Sequence, residues 1–361
     1  MQRIDMKKRI LALIMVTLFL NLTACNNSNG KISSVYEISL SSDYDNSNEK
    51  SLSFFAMDTY MNFKAYGENA KTAVNEASAL VEDLENKLSV TNPESEISKI
   101  NSSANNAIKI SEDTLALIST ALDVNKKSGG AFDITIYPIV KLWGFTTGKY
   151  EVPNKEEILK NLEYVDSSNI TLNEKEGTVT VPKNIEIDLG GIAKGYAGKK
   201  AAEKIRSMGI ESALLNLGGN IQTIGSKPDG SAWGVSICNP EDSSKQLCRI
   251  EVVDKAVVTS GGYQRYFEEN GKSYHHIIDP KSGYPAENGL LSVTIVDEDG
   301  MLCDALSTTL FVLGKDKALE YCEKYGIEAI LMTDDKKIYV TDGLKESFSI
   351  IDQTSGYFLA E

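Results

Sequence analysis

The order of candidate elements along the chain predicts an α+β fold in which helices pack on largely antiparallel sheet. Two observations carry that expectation. Segments with helical apolar spacing are separated by short strand candidates in mixed order, without the strict strand–helix alternation of a doubly wound nucleotide-binding fold. The composition of the 361 residues, 42% hydrophobic and 24% charged, is that of a globular chain long enough to bury a sizeable core. No internal repeat appears.

The elements follow in order. From Asn69 to Leu88, residues Val74, Ala77, Leu80, Val81, Leu84 and Leu88 fall on one helical stripe. Ser111 is an N-cap candidate ahead of Glu112 and Asp113, with Leu115, Ile118 and Leu122 on one face and Gly129-Gly130 as the stop. Ala197–Met208, Asp304–Leu313 and Lys315–Tyr325 also read as helices, with Gly314 between the last two. Strand candidates are Ala213–Asn216, Trp233–Cys238, Ile250–Val253, Leu291–Val296, Ala329–Met332 and Lys337–Val340.

The first residues read as an address. Lys7, Lys8 and Arg9 precede an apolar run, Ile10–Leu20, too short to span a bilayer comfortably, and the run ends in Leu22-Thr23-Ala24-Cys25. That pattern resembles a bacterial lipobox, with Cys25 as the lipidated first residue of the mature chain. The expected organisation is a lipoprotein signal peptide at 1–24, a lipidated Cys25 with a flexible Asn-, Ser- and Asp-rich tether over 25–53, and a folded domain over 54–361. The expected location is the extracytoplasmic face of a bacterial cell membrane. Without residues 1–24 the chain holds 33 basic against 50 acidic residues, a balance of −17. Polybasic attraction is therefore excluded as the anchor, which falls to acyl chains. A formal charge of −14 for the whole chain likewise excludes general nucleic-acid binding. Among Cys238, Cys248, Cys303 and Cys322 there is no CxxC pair for structural zinc, whereas Cys238–Cys248 is a candidate disulfide across a hairpin.

Four segments suit close backbone approach to an anion: Asp188–Gly195, Asn216–Asn220, Thr259–Gly262 and Gly129–Asp133. Each alone also reads as an ordinary tight turn. None has the spacing of a standard phosphate loop. Asn216, Gly218, Gly219, Ser260 and Gly261 are the candidate phosphate contacts. The only histidines, His275 and His276, precede Asp279-Pro280, and in a strand their rings would point to opposite faces, so only one can serve a site. His276 is the candidate general base, against a purely structural role. Asp304 and Thr308 stack at i and i+4 with Ser307 beside them, a hard-oxygen set suited to Mg²⁺. The alternative is that Asp304 caps its own helix.

Taken together these segments resemble the FAD:protein FMN transferases, the ApbE family of bacterial lipoproteins. The resemblance runs in order through Met57-Asp58-Thr59, Ser95–Asn101, Gly130–Thr135 with Leu142–Phe145, Asp188–Gly195, Asn216–Asn220, Ser260–Phe267, His276–Pro285 and Asp304–Gly314. It implies an ApbE-like catalytic domain that uses FAD and a divalent cation, Mg²⁺, to transfer FMN through a phosphoester bond to a Thr or Ser hydroxyl, releasing AMP. It implies metal ligands at the Gly191 carbonyl, Asp304 and Thr308, with Ser307 nearby. Flavin-side contacts would fall on Met57, Ala131, Phe132, Asp133, Asp188, Lys194 and the strand around Ile278, with His276 at the transfer step. The acceptor would be a flavoprotein modified in trans, either a membrane-bound redox-pump subunit or an extracellular protein with an FMN-binding domain. The chain departs from the family at Thr91, where an aromatic residue is common. Two other readings remain at this point: a flavin-binding surface lipoprotein without transfer, and a metal-dependent FAD pyrophosphatase with water as acceptor.

Overall fold

Buried and exposed side chains alternate along Glu49–Ala56 (β1) and Thr59–Tyr66 (β2), which open a nine-stranded sheet in the computed structural model, where residues 48–360 are described. The sheet continues through β3 (Ser212–Leu217), β4 (Asn220–Ile224), β5 (Ala256–Gly261), β6 (Leu290–Asp297), β7 (Ala329–Thr333), β8 (Lys337–Val340) and β9 (Phe358–Leu359). Strand order in space follows chain order. Every neighbouring pair is antiparallel except β8–β9. The expected mixed α+β fold with largely antiparallel sheet is the fold observed.

Side chains of successive sheet residues point to opposite faces, and this period separates two cores. Ala213, Leu215, Leu217, Ala256, Val258, Val293, Ile295, Ala329 and Leu331 face a layer of helices. That layer includes α1 (Ala70–Leu88), α2 (Glu96–Ser102), α3 (Glu112–Ser128), α6 (Ala193–Ser207), α7 (Gly300–Leu313) and α8 (Lys315–Tyr325), whereas α4 (Tyr137–Leu142) and α5 (Lys155–Leu162) bury their apolar side chains in a separate cluster. Leu214, Ile221, Val257, Val296, Ile330 and Met332 point the other way, onto a hairpin of Trp233–Asn239 and Asp242–Val252. A third cluster, Ile139, Trp143, Phe145, Ile158, Phe267 and Ile278, joins α4 and α5 to a short hairpin, Tyr266–Glu269 with Lys272–His275.

Several expectations are met and several corrected. Ser111 caps α3 by accepting from the Thr114 N–H, and Gly129 ends it in the left-handed conformation. The folded domain begins earlier than residue 54, because Glu49–Ser53 pair with β2; their polar sequence reflects the solvated face of an edge strand, not a tether. Thr259–Gly261 is not a turn but the end of β5, paired with Ser292–Thr294 of β6. Helix α6 begins at Ala193, so the last three residues of Asp188–Gly195 are helical. Cys238 and Cys248 are buried free thiols. Irregular pairing sets Ile237 opposite Cys248 and Gln246 opposite Cys238, so the two are not cross-strand partners. Cys25 and the signal segment lie outside the described residues. No helix among the described residues is long and apolar enough to cross a membrane.

Candidate functional site

Helix α7 is buried along nearly its whole length, which makes a carboxylate at position 304 costly unless it is satisfied. Asp304 does not cap its own helix; Asp299 does, accepting from the Met301 and Leu302 N–H groups. Asp304 instead accepts from the Gly195 N–H at 2.8 Å and so satisfies a first-turn donor of α6. The approach requires glycine, because a Cβ on Gly195 would sit 2.0 Å from the Gly300 carbonyl oxygen and 2.6 Å from the Asp304 Cβ. Asp304 thus links two helices from 109 residues apart in the chain. Its Oδ1 has no protein hydrogen bond among the described residues.

Beside it, the Ser260 hydroxyl at the end of β5 meets the Ser307 hydroxyl at 2.8 Å and the Thr308 hydroxyl at 3.3 Å. Ser307 also donates to the Asp304 carbonyl at 2.9 Å. Gly191 completes the group: a Cβ there would lie 3.0 Å from the Phe132 ring and 3.9 Å from the Thr308 hydroxyl. The α7 pair, β5 and the start of α6 therefore meet at one oxygen-lined point. Among the described residues no three His, Cys, Asp or Glu are grouped to hold a metal. The side-chain donors at this point are instead one carboxylate and three hydroxyls, a hard-oxygen set that fits Mg²⁺, which binds through few carboxylates and completes its shell with water and phosphate.

The loop that carries Phe132 is fixed by Asp133. Its carboxylate accepts from the Thr135 N–H and hydroxyl, the Ser167 N–H and hydroxyl, and Asn125 Nδ2. Asn125 also holds the Phe132 carbonyl at 2.7 Å. Asp133 therefore fixes the loop at Ala131–Phe132, both residues of which are buried. Asp188 accepts from the Gly190 N–H at 3.0 Å. Burial raises its pKa above the usual carboxylate range, against the opposing pull of the Gly190 N–H, Lys194 and Arg265. Two residues upstream, Glu186 lines a groove of about 820 Å³ with Asn101, Pro138, Lys141, Tyr164 and Lys183.

Two hairpin turns close the same end of the sheet. In Leu217–Asn220 the Asn216 Oδ1 accepts from the Gly219 N–H at 2.9 Å. Gly218 has φ +66°, and a Cβ there would meet the Thr59 hydroxyl at 2.0 Å. The neighbouring turn between β1 and β2 places Met57 and Asp58 at φ +50° and +59°. Non-glycine residues hold that conformation at a cost of order 1 kcal/mol or more each.

His276 lies where the aromatic cluster meets this end. Its Nδ1 is 3.1 Å from the Arg265 carbonyl, and Phe145 presents an edge to the ring at 6.3 Å. A carbonyl only accepts, so Nδ1 carries the proton and Nε2 keeps a lone pair. Burial, then the charges of Arg265, His275 and Lys194, lower the pKa to about 3, so the ring is neutral at physiological pH. His275 points elsewhere, edge-on to Phe311 of α7 at 5.5 Å. Ile278 is buried in the aromatic cluster and bridges to Pro285. Thr91 lies in an exposed turn, 3.0 Å from the Ser89 hydroxyl, and offers no ring for stacking.

Sequence reading missed Arg265, whose side chain pairs with Asp58 at 3.4 Å and donates to the Phe145 carbonyl. The available signal was a lone arginine between Gly261-Gly262 and Tyr266-Phe267.

The ApbE family model matches residues 57–331. An FAD:protein FMN transferase of Haemophilus influenzae is 33% identical over 350 residues, covering 93% of this chain and 96% of the relative. One from Klebsiella pneumoniae is 34% identical over 77% of this chain and 87% of its own length. Among solved structures, the ApbE protein of Thermotoga maritima superposes with a TM-score of 0.78 at 33% identity, covering 83% of this chain and 99% of that one. The flavin transferase ApbE of Vibrio cholerae gives 0.76 at 30% identity, with 83% and 99% covered.

Proposed function

The chain belongs to the ApbE family, and from that premise we propose that it cleaves FAD and attaches FMN through a phosphoester bond to a Thr or Ser hydroxyl of an acceptor flavoprotein, releasing AMP. The observation that carries the reading is the meeting of Asp304, Ser307, Thr308, Ser260 and Gly191 at one oxygen-lined point. Asp304, Thr308, Ser307 and the Gly191 carbonyl would hold Mg²⁺. Bound there, the ion would supply charge neutralisation for the phosphate oxygens.

The remaining work falls to the protein's own groups. The Gly218 main chain, in a turn braced by the Gly219 N–H to Asn216 Oδ1 bond, and the Ser260 hydroxyl at the strand end would meet the phosphates. Nε2 of His276, with its lone pair free, accepts the proton of the incoming hydroxyl. The acceptor oxygen forms its bond to the FMN phosphorus as the bond to the bridging oxygen breaks, and AMP leaves with that electron pair. An anionic pyrophosphate opposes the positive neighbours of His276, so its proton affinity rises when substrate is in place.

The signal segment and Cys25 support a lipid-anchored enzyme on the extracytoplasmic face of a bacterial membrane. Its acceptors would be a redox-pump subunit or an extracellular flavoprotein domain, modified in trans.

The test incubates the protein with FAD, Mg²⁺ and a purified flavin-acceptor domain, and reads FMN addition by mass spectrometry. Acceptor modification with stoichiometric AMP is expected, and removal of Mg²⁺ with a chelator should stop it. The variant His276→Ala should keep FAD binding and lose about 10²–10⁴-fold in transfer rate. AMP release without acceptor modification would overturn the proposal in favour of a pyrophosphatase; bound, intact FAD would overturn it in favour of a binding protein.

A further inference from the structure

Arg265 touches three segments of the site that are far apart in sequence. Its Nη2 donates to the Phe145 carbonyl, and its guanidinium lies 3.4 Å from Asp58 Oδ2 in the left-handed Met57–Asp58 turn. Its own carbonyl accepts the main-chain N–H of His276 at 3.1 Å and faces the ring Nδ1 at 3.1 Å. Both side-chain ties run through Nη2, and the main chain of the same residue sets the imidazole. We propose that Arg265 is a positioning residue, whose guanidinium, pinned to Phe145 and Asp58, holds its own carbonyl where it fixes the orientation and the Nδ1–H tautomer of His276.

Arginine suits this task for a geometric reason. The two N–H donors of Nη2 lie in the guanidinium plane and so can serve a carbonyl and a carboxylate at once in fixed directions, whereas a lysine ammonium is a point charge on a flexible stem. The tie also gives the Met57–Asp58 turn a use: the conformation that places Asp58 against Arg265 is one that β1 and β2 hold at a cost. The charged and titratable groups acting on the His276 ring are Arg265, Lys194 and His275. Arg265 and Lys194 also act on Asp188. Loss of the Arg265 charge therefore removes one of three groups that disfavour ring protonation, which moves the acid limb of activity to higher pH.

The functional meaning of the tautomer rests on the transfer reading above; the tautomer itself does not, and the test separates the two. The full-length protein is labelled with ¹⁵N-histidine, and two-bond proton–nitrogen spectra are recorded near neutral pH. The chain holds only two histidines, so His275→Gln assigns the signals. Wild type should show His276 as a single Nδ1–H tautomer. Arg265→Gln should show mixed tautomers, with FMN transfer lower by about 10²-fold and the KM for FAD within about threefold, since the ring is misplaced while the phosphate site is intact. Arg265→Lys, which keeps the charge and one donor, should restore the acid limb of the pH profile and only part of the tautomer signal. Asp58→Asn cuts only the exposed ion pair and should give a smaller change of the same sign, a readout that survives if the Arg265 variants fold poorly. A pure Nδ1–H signal in Arg265→Gln, or in Asp58→Asn where the former is unfolded, would overturn the inference even in an active transferase. A tautomer shift in a protein that transfers no FMN would uphold the positioning role and sink the transfer reading alone.

Discussion

On the helix side of the sheet, Ser260 of β5 meets Ser307 and Thr308, Asp304 reaches across to α6, and Asp188 lies half-buried within the field of Lys194. On the other side, Leu214, Ile221, Val257, Ile330 and Met332 meet Trp233, Val235 and Ile250 of the long hairpin in an apolar layer. The same strands supply both faces, one residue out of phase. The difference teaches where cost is accepted. The hairpin side gains from burying apolar surface, whereas the helix side buries a carboxylate and hydroxyls in places where apolar residues of similar size would pack without penalty.

The largest effect separates these roles at Asp304. Asp304→Asn keeps an oxygen for the Gly195 N–H, so the thermal midpoint should stay close to wild type, while metal-dependent FMN transfer should fall below detection. Asp304→Ala should lose transfer equally and about 1–2 kcal/mol of stability as well, because the α6 donor is left unsatisfied in the interior. Denaturant unfolding beside the mass-spectrometric transfer assay reads both. Appreciable transfer by the asparagine variant would show that the carboxylate charge is not needed, and the comparison of faces would lose its functional half.

The opposite experiment is made at Trp233. Its ring is buried in the hairpin layer and its Nε1 donates to the Gly225 carbonyl at 3.0 Å. Trp233→Ala should cost about 3–5 kcal/mol by cavity formation and loss of buried surface. Transfer per folded molecule should be unchanged at a temperature where the variant remains folded. A fall in kcat without unfolding would show that the two faces are coupled through the sheet.

What sequence alone made legible follows the same division. Helix α3 could be read from end to end, because Ser111, the apolar stripe and Gly129-Gly130 all act locally. β1 could not: Glu49–Ser53 becomes strand only through pairing with β2, a tertiary event that its polar residues do not announce. The α7 carboxylate and hydroxyls were legible as an oxygen set from their spacing, but not the partner that Asp304 takes. Its choice of the Gly195 N–H over a cap on its own helix depends on close packing of α6 on α7, which no local pattern encodes. Arg265 was missed for a related reason. A single arginine has no period, and its role arises from a carbonyl and a carboxylate that lie 120 and 207 residues away.

The smallest expected effect concerns Asp188, where the cost of the helix side can be measured directly. Burial raises the Asp188 pKa above its unfolded value, more than Gly190, Lys194 and Arg265 lower it. A carboxyl with a raised folded-state pKa binds protons more tightly when folded, so its contribution to stability is fully present below the unfolded pKa near 4 and is lost as pH rises through the folded pKa. At pH 7 the ionised group therefore weighs against the fold. Asp188→Asn keeps an acceptor for the Gly190 N–H and removes that charge, so the ligand-free protein should melt a few degrees higher at pH 7, with the gain shrinking toward zero as pH falls below about 4. The same variant should bind FAD less tightly if Asp188 contacts the flavin half, so heat resistance and affinity should move in opposite directions. Melting curves from pH 3 to 8, with and without FAD, read both quantities. A variant that melts lower than wild type at pH 7 would mean that the Lys194 and Arg265 charges outweigh burial at this carboxylate, and that the helix side stores less cost than its geometry indicates.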